Sequence, residues 1–242
     1  MRSVLRKAKL RNDHPDREFN HVIQSLITTR NPVLFDVGAH RGESIKRFRG
    51  LFDNPEVHEF EPDTENFEYL RKFCEKLENT TINNVGVSES NGELVLYRNA
   101  KSSTSSFSPL NKSSDWVKLR CAERGISSDK FTEQEYKVDV IDLDSYVRKK
   151  HITRIDLLKI DTQTHEDKVL DGCKNTLKKG IIKVIEIEVI VGDVYTRSLN
   201  ISDIEMRLLK FGYKFYGINR AGNLLNAPWV DFDMIYVHNT LL

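Results

Sequence analysis

Residues 33–44 read VLFDVGAHRGES. The first five residues are short, mostly apolar and β-branched at both ends, as a strand buried on both faces is. Gly38 and Gly42 then flank a turn, and from Glu43 the apolar positions Ile45, Phe48, Leu51 and Phe52 follow helical spacing. A strand that runs through a glycine turn into a helix is the first half of a parallel crossover, because a parallel neighbour can be reached only over the face of the sheet. This stretch therefore commits the chain to an α/β architecture with ligands at the carboxyl ends of the strands.

The rest of the chain repeats that alternation. Before Pro32 lies a short amphipathic segment, FNHVIQSLI. VHEFE is a second strand, after which Asp63 can cap a helix with an inner face of Phe67, Leu70, Phe73, Cys74 and Leu77. TTINNVGV reads as a third strand, and NGELVLYR as a hairpin arm after an Asn-Gly turn. IDLLKID is a buried strand; the helix after it places Val169, Leu170, Cys173 and Leu177 on one side and ends at Gly180. IIKVIEIEVI is a further strand, and Ser202 to Glu205 reads as a capping box with Ile201 and Met206 as its staple. That helix stops at Gly212, and YKFYGI and FDMIYVH follow as an antiparallel pair at the sheet edge. The expected fold is a doubly wound, mostly parallel sheet in one domain over residues 31–242, preceded by a basic arm and short helix over 1–30. Residues 99–135, with the serine cluster KSSTSSFSP and a polar helix from Trp116 to Arg124, form an excursion expected to lie over the active site.

The formal net charge of +1 gives the chain little field toward nucleic acid, and no nucleic-acid partner is expected. The basic residues Arg2, Arg6, Lys7, Lys9 and Arg11 read as a solvated terminus. The most apolar run, GIIKVIEIEVIVG, is interrupted by Lys183, Glu186 and Glu188, so no membrane span is expected. The opening residues lack the apolar core of a secretory signal, and a cytoplasmic location is expected. Cys74, Cys121 and Cys173 are odd in number and widely spaced, which argues against a disulfide framework or a zinc site. Asp161 with Asp139, Asp142 or Asp144 does not form a tight metal cluster, Asp144 reading as a helix cap.

The turn itself narrows the ligand. It is neither G-x-G-x-x-G nor a loop ending in G-K-S/T, and Asp36 stands where a pyrophosphate would meet a like charge. Glu61, at the end of the second strand, is placed to accept hydrogen bonds from both hydroxyls of a ribose. An ammonium group for Asp36 and a ribose for Glu61 together describe S-adenosylmethionine. A dehydrogenase is disfavoured by the glycine spacing.

The motifs DVGAHRG, FEPDTENFEYL, INNVGVSESNGELVLY, STSSFS, VIDLDSYV, IDLLKIDTQTHEDKVLDGCKNTL and FDMIYVH, in this order over about residues 33–238, resemble the FkbM-type S-adenosylmethionine-dependent methyltransferases of class I. The resemblance implies a seven-stranded Rossmann-like sheet of order 3-2-1-4-5-7-6, last strand antiparallel, and O-methylation of sugars or other hydroxylated small molecules. It implies a cofactor site lined by Asp36, Gly38 and Glu61, with Asn84 and Val85 near the adenine, Ser105 or Ser106 in the serine loop, and Lys159, Asp161 and Glu166 in a K-I-D-x-E-x-x-E motif. His40, at a position often asparagine in the family, is expected to contact the methionine end of the cofactor; Gly42, with Gly38, is expected in the cofactor site, letting backbone approach the ligand and helix pack on strand. The chain departs from the pattern at Gln163 and Thr164, where the family has Glu-Gly.

Methyl transfer to a hydroxyl needs a proton acceptor beside the oxygen. Three candidates stand near the end of IDLLKID: Asp161, His165 four residues on, with an unperturbed pKa near neutrality, and Glu188 on the next strand. The acceptor is expected to be a sugar, glycan or similar small molecule. Methylation of protein or RNA, or a silent cofactor-binding module, are the alternatives, and a homo-oligomer is possible.

Overall fold

The computed structural model describes residues 17–220 and 230–242. The basic residues 2–11 lie outside them. Helix α1 (Arg17–Leu26) precedes strand β1 (Val33–Val37), α2 (Glu43–Leu51), β2 (Glu56–Phe60), α3 (Thr64–Cys74) and β3 (Thr80–Asn83). After β4 (Gly86–Val87), β5 (Gly92–Asn99), α4 (Asp115–Arg124) and β6 (Thr132–Ile141) come α5 (Leu143–Lys149) and β7 (Ile155–Ile160). The chain closes through α6 (Glu166–Asp171), α7 (Lys174–Lys178), β8 (Ile182–Val191), α8 (Ile201–Leu208), β9 (Tyr213–Arg220) and β10 (Val230–His238).

Seven strands form one sheet of order β3-β2-β1-β7-β8-β10-β9, in which β10 runs antiparallel to both neighbours. This is the doubly wound order expected. Strand alternation divides the core: Leu34, Val57, Leu157 and Val184 meet α1, α2 and α3, while Phe35, Phe60, Leu158 and Ile185 meet the helices of the other face. The order reverses between β1 and β7, so a crevice opens at their carboxyl ends.

Several local expectations are corrected. TTINNVGV is two strands, because β3 pairs with β2 while β4 pairs with β6 in a second sheet of order β4-β6-β5. The arm β5 pairs antiparallel with β6, so its partner lies beyond the excursion. The helix after IDLLKID is broken into α6 and α7, and the carboxylate of Asp144 accepts from Asn175 N and Thr176 N at the start of α7; Asp142 caps α5. Helix α8 starts after Asn200, whose N–H donates to Asp203, and Met206 is 63% exposed, so no staple forms. All three cysteines are free and buried.

The excursion carries its own small core: Leu110, Trp116, Val117, Cys121 and Phe131 pack with Val194 and Tyr195 from the segment after β8. That packing fixes the serine loop over the crevice. No helix among the described residues is long and apolar enough to cross a membrane.

Candidate functional site

A cavity of about 360 Å³ lies at the carboxyl ends of β1, β2 and β7, roofed by the serine loop. Gly38 carries the chain across its floor at φ 92°, and a Cβ there would stand 1.9 Å from the main-chain oxygen of Asp161. Only glycine permits that approach. The N–H groups of Gly38 and Ala39 both donate to Phe60 O, which folds the turn over the end of β2.

Glu61 lines the cavity and is 6% exposed. Its Oε1 accepts Asp63 N at 2.8 Å and its Oε2 accepts His40 N at 2.8 Å, so one carboxyl ties the loops after β1 and β2 together. Each oxygen keeps a further acceptor site. Burial pushes this carboxyl up to about 8, against the lowering effect of the two backbone donors. His40 also lines the cavity; its Nε2 lies 2.9 Å from Ser102 Oγ and its Nδ1 3.2 Å from Glu43 Oε1, a bridge between the β1 loop and the serine loop.

Asp36 is placed differently from the sequence expectation. It is fully buried and is not among the cavity-lining residues. Register puts Glu59, Asp36, Lys159 and Glu186 in one row across β2, β1, β7 and β8. On that row Lys159 Nζ stands 3.5 Å from Asp36 Oδ1, and Arg47 from α2 donates to both oxygens of Glu186. Asp36 shares the face of Leu34, so its charge is met beneath the cavity. Burial and the neighbouring Asp36 hold the Glu59 carboxyl well above its usual range.

The serine loop is pinned to the cavity's far wall. Ser106 Oγ donates to Gln163 O at 2.6 Å and accepts Ser108 N, while Ser105 Oγ accepts Asn99 N at 3.1 Å. Both serines line the cavity. Gly42, Asn84 and Val85 do not line it; Asn84 donates to Glu61 O, and a Cβ on Gly42 would meet Phe73 at 2.9 Å. Gly86 and Val87 line the wall on which Asn84 and Val85 were expected.

Of the three proton-acceptor candidates, only Asp161 lines the cavity. Burial pushes it up, but Lys159 Nζ at 3.1 Å from Oδ2 and hydrogen bonds from Glu188 and Gln163 bring it below the usual carboxylate range. Glu188 lies behind Gln163, which donates to it at 2.6 Å, and burial and the Asp161 charge hold it well above its usual range. His165 is 8% exposed at the start of α6, with Nε2 3.0 Å from Ser88 Oγ and its ring against Phe107. Burial, with Arg197, lowers it to about 4, so it is neither a base poised near neutrality nor a solvent-facing residue. His58 is buried within β2, with Nδ1 2.8 Å from Tyr146 OH.

The departure at Gln163 and Thr164 is a strained turn, with φ 56° and 78°. Glu166 Oε1 accepts Thr162 N, Thr162 Oγ1 and Thr164 N, and Arg197 donates to Thr164 O. Burial pushes Glu166 up to about 7. Tyr195, which sequence reading passed over, is 3% exposed, and its hydroxyl lies 2.8 Å from both Gln163 Oε1 and Thr104 O. Nothing in its neighbours GDVYTR signals this, because its partners come from two distant loops.

The family described as Methyltransferase FkbM domain matches residues 36–215. A curated relative, 2-O-methyltransferase NoeI of Sinorhizobium fredii (strain NBRC 101917 / NGR234), is 27% identical over 166 residues, which cover 65% of this chain and 63% of that protein. The chain thus spans less than two thirds of that relative's length. An rRNA methylase from Streptococcus thermophilus superposes with a TM-score of 0.50 at 11% identity, covering 95% of this chain and 99% of that one, a likeness of fold. The match over residues 36–215 includes the β1 turn, Glu61, the serine loop and the Asp161 turn, and the chain belongs to the FkbM methyltransferase domain family.

Proposed function

We propose that the protein is an S-adenosylmethionine-dependent O-methyltransferase acting on a hydroxyl of a sugar, glycan or similar small molecule. The observation that carries the reading is Glu61: a buried carboxyl at the end of β2, held by two backbone donors, with an acceptor site left on each oxygen. That suits the two hydroxyls of a ribose. The glycine floor at Gly38 and a cavity of about 360 Å³ fit a ligand lying across the strand ends. In this reading Glu61 holds the ribose, the Gly38–His40 turn faces the amino-acid end, and Gly86 and Val87 flank the base. Asp36 acts from below, by fixing Lys159.

When bound, S-adenosylmethionine supplies a methyl group on a sulfonium whose departure leaves a neutral thioether. The chain's own task is to align the acceptor oxygen and take its proton as the new carbon–oxygen bond forms. Asp161 is the group for that task, since it reaches the cavity and Lys159 keeps it charged. The serine loop roofs the site and excludes water through His40–Ser102 and Ser106–Gln163. The 2-O-methyltransferase relative supports oxygen as the acceptor atom. The whole is read as one domain over 31–242 with the 99–135 excursion as its acceptor wall.

Incubation with methyl-labelled S-adenosylmethionine and a panel of free glycans and nucleotide sugars, read by mass, tests this. A product one methyl heavier, absent with Asp161→Asn, is expected. Transfer to protein or RNA and to no glycan would move the reading to the macromolecular alternative.

A further inference from the structure

Among the described residues, Gln163 is the one side chain seen to donate to both carboxyls at the cavity's far wall. Its Nε2 donates to Asp161 Oδ1 at 3.1 Å and to Glu188 Oε2 at 2.6 Å. Its Oε1 lies 2.8 Å from Tyr195 OH, and its main-chain oxygen accepts Ser106 Oγ. The residue is thus held from the serine loop, from the segment after β8 and through its own strained backbone. A side chain fixed on so many sides has little freedom to serve as a loose wall of the pocket.

The two carboxyls have unequal surroundings. Asp161 has Lys159 at 3.1 Å, and Lys159 is itself buried beside Asp36 on β1. Among the described residues no cation stands at salt-bridge distance from Glu188; its register neighbour on β10 is Asp233, and Glu166 of α6 and Tyr195 also face the group. Two carboxyls sharing one hydrogen bond hold one proton between them, and the side with the cation keeps the charge. An amide at 163 donates to both and adds no charge of its own.

We propose that Gln163 is a positioning residue for proton removal: by donating to both carboxyls it holds the Asp161–Glu188 pair with one proton, seated on Glu188, and leaves Asp161 charged and aimed into the cavity. The catalytic meaning of this rests on the methyltransferase reading; the state of the pair does not. Burial with the facing carboxylates on Glu188, and Lys159 on Asp161, push the two groups apart in the same sense. In that reading Asp161 takes the proton of the acceptor hydroxyl, and the proton leaves to solvent after product release.

The test compares the wild type with Gln163→Glu and Gln163→Ala. The Asp161 carboxyl is followed by carbon-13 NMR against pH in protein without acceptor or methyl donor, its resonance assigned by its loss in Asp161→Asn. Gln163→Glu loses the donor and adds a charge, so the Asp161 titration moves up by about one pH unit or more, and Gln163→Ala moves it the same way by less. With an acceptor in hand, the acid limb of the pH–rate profile moves with it, while the dissociation constant for S-adenosylmethionine stays within about twofold. An Asp161 titration unmoved in both variants overturns the proposal. A wild type that transfers no label to any acceptor counts against the methyltransferase reading and leaves the NMR titration to judge Gln163.

Discussion

Glu61 meets two backbone N–H groups in a site that otherwise disfavours its charge, and burial raises it to about 8. Hydroxyl donors on its free acceptor sites favour the ionised form, so binding releases a proton. The affinity for S-adenosylmethionine, measured by calorimetry, is therefore expected to rise with pH up to about 8 and level off above it. Glu61→Gln removes that dependence. His165 makes the opposite case. Its burial against Ser88 and Phe107 lowers it to about 4, and it stands outside the cavity. His165→Ala is expected to leave the pH–rate profile unmoved and to lower unfolding stability by about 1–3 kcal/mol, read by denaturant titration. The place of Glu61 in the cavity was legible because it follows from its position at a strand end. Asp36 was half legible: alternation from Leu34 puts it under the sheet, but the lysine that meets it comes from β7, more than a hundred residues on.

The turn between β7 and α6 carries the strain of the site. Thr164 is β-branched, sits at φ 78° and leaves its buried hydroxyl without a partner. Its backbone is held by Glu166 and Arg197, which keep a conformation that glycine would take freely. Thr164→Gly is expected to stabilise the fold by about 1 kcal/mol, relief of strain exceeding the added freedom of the unfolded chain, seen as a raised thermal midpoint. The serine loop roofs the cavity, and His40–Ser102 ties it to the β1 turn. Ser102→Ala is expected to speed release of S-adenosylmethionine about fivefold in a stopped-flow displacement, the value of one hydrogen bond. Local signals located both elements. They missed the break between α6 and α7 and the division of TTINNVGV, because each depends on which neighbour a strand or helix finds.

Across the whole molecule, alternation of strand and helix was enough to give a mostly parallel sheet covered on both faces, since parallel strands require crossovers and crossovers have one hand, while the strand order was implied by the resemblance to the family. The site was less legible because it is assembled from β4 and from the segments after β1, β2, β5 and β7, and only their meeting makes a cavity. The second sheet and the excursion core bring the serine loop and Tyr195 to that point. Lys159 joins the layers: it neutralises Asp36 below the floor and Asp161 at the wall, and those two carboxylates outweigh burial in keeping it protonated. The most direct test of the account is a calorimetric titration of the chain with S-adenosylmethionine, wild type beside Glu61→Gln. The account predicts saturable binding of one molecule per chain, weakened about 10- to 100-fold in the variant. No binding by the wild type, or equal affinity in the two proteins, would contradict it.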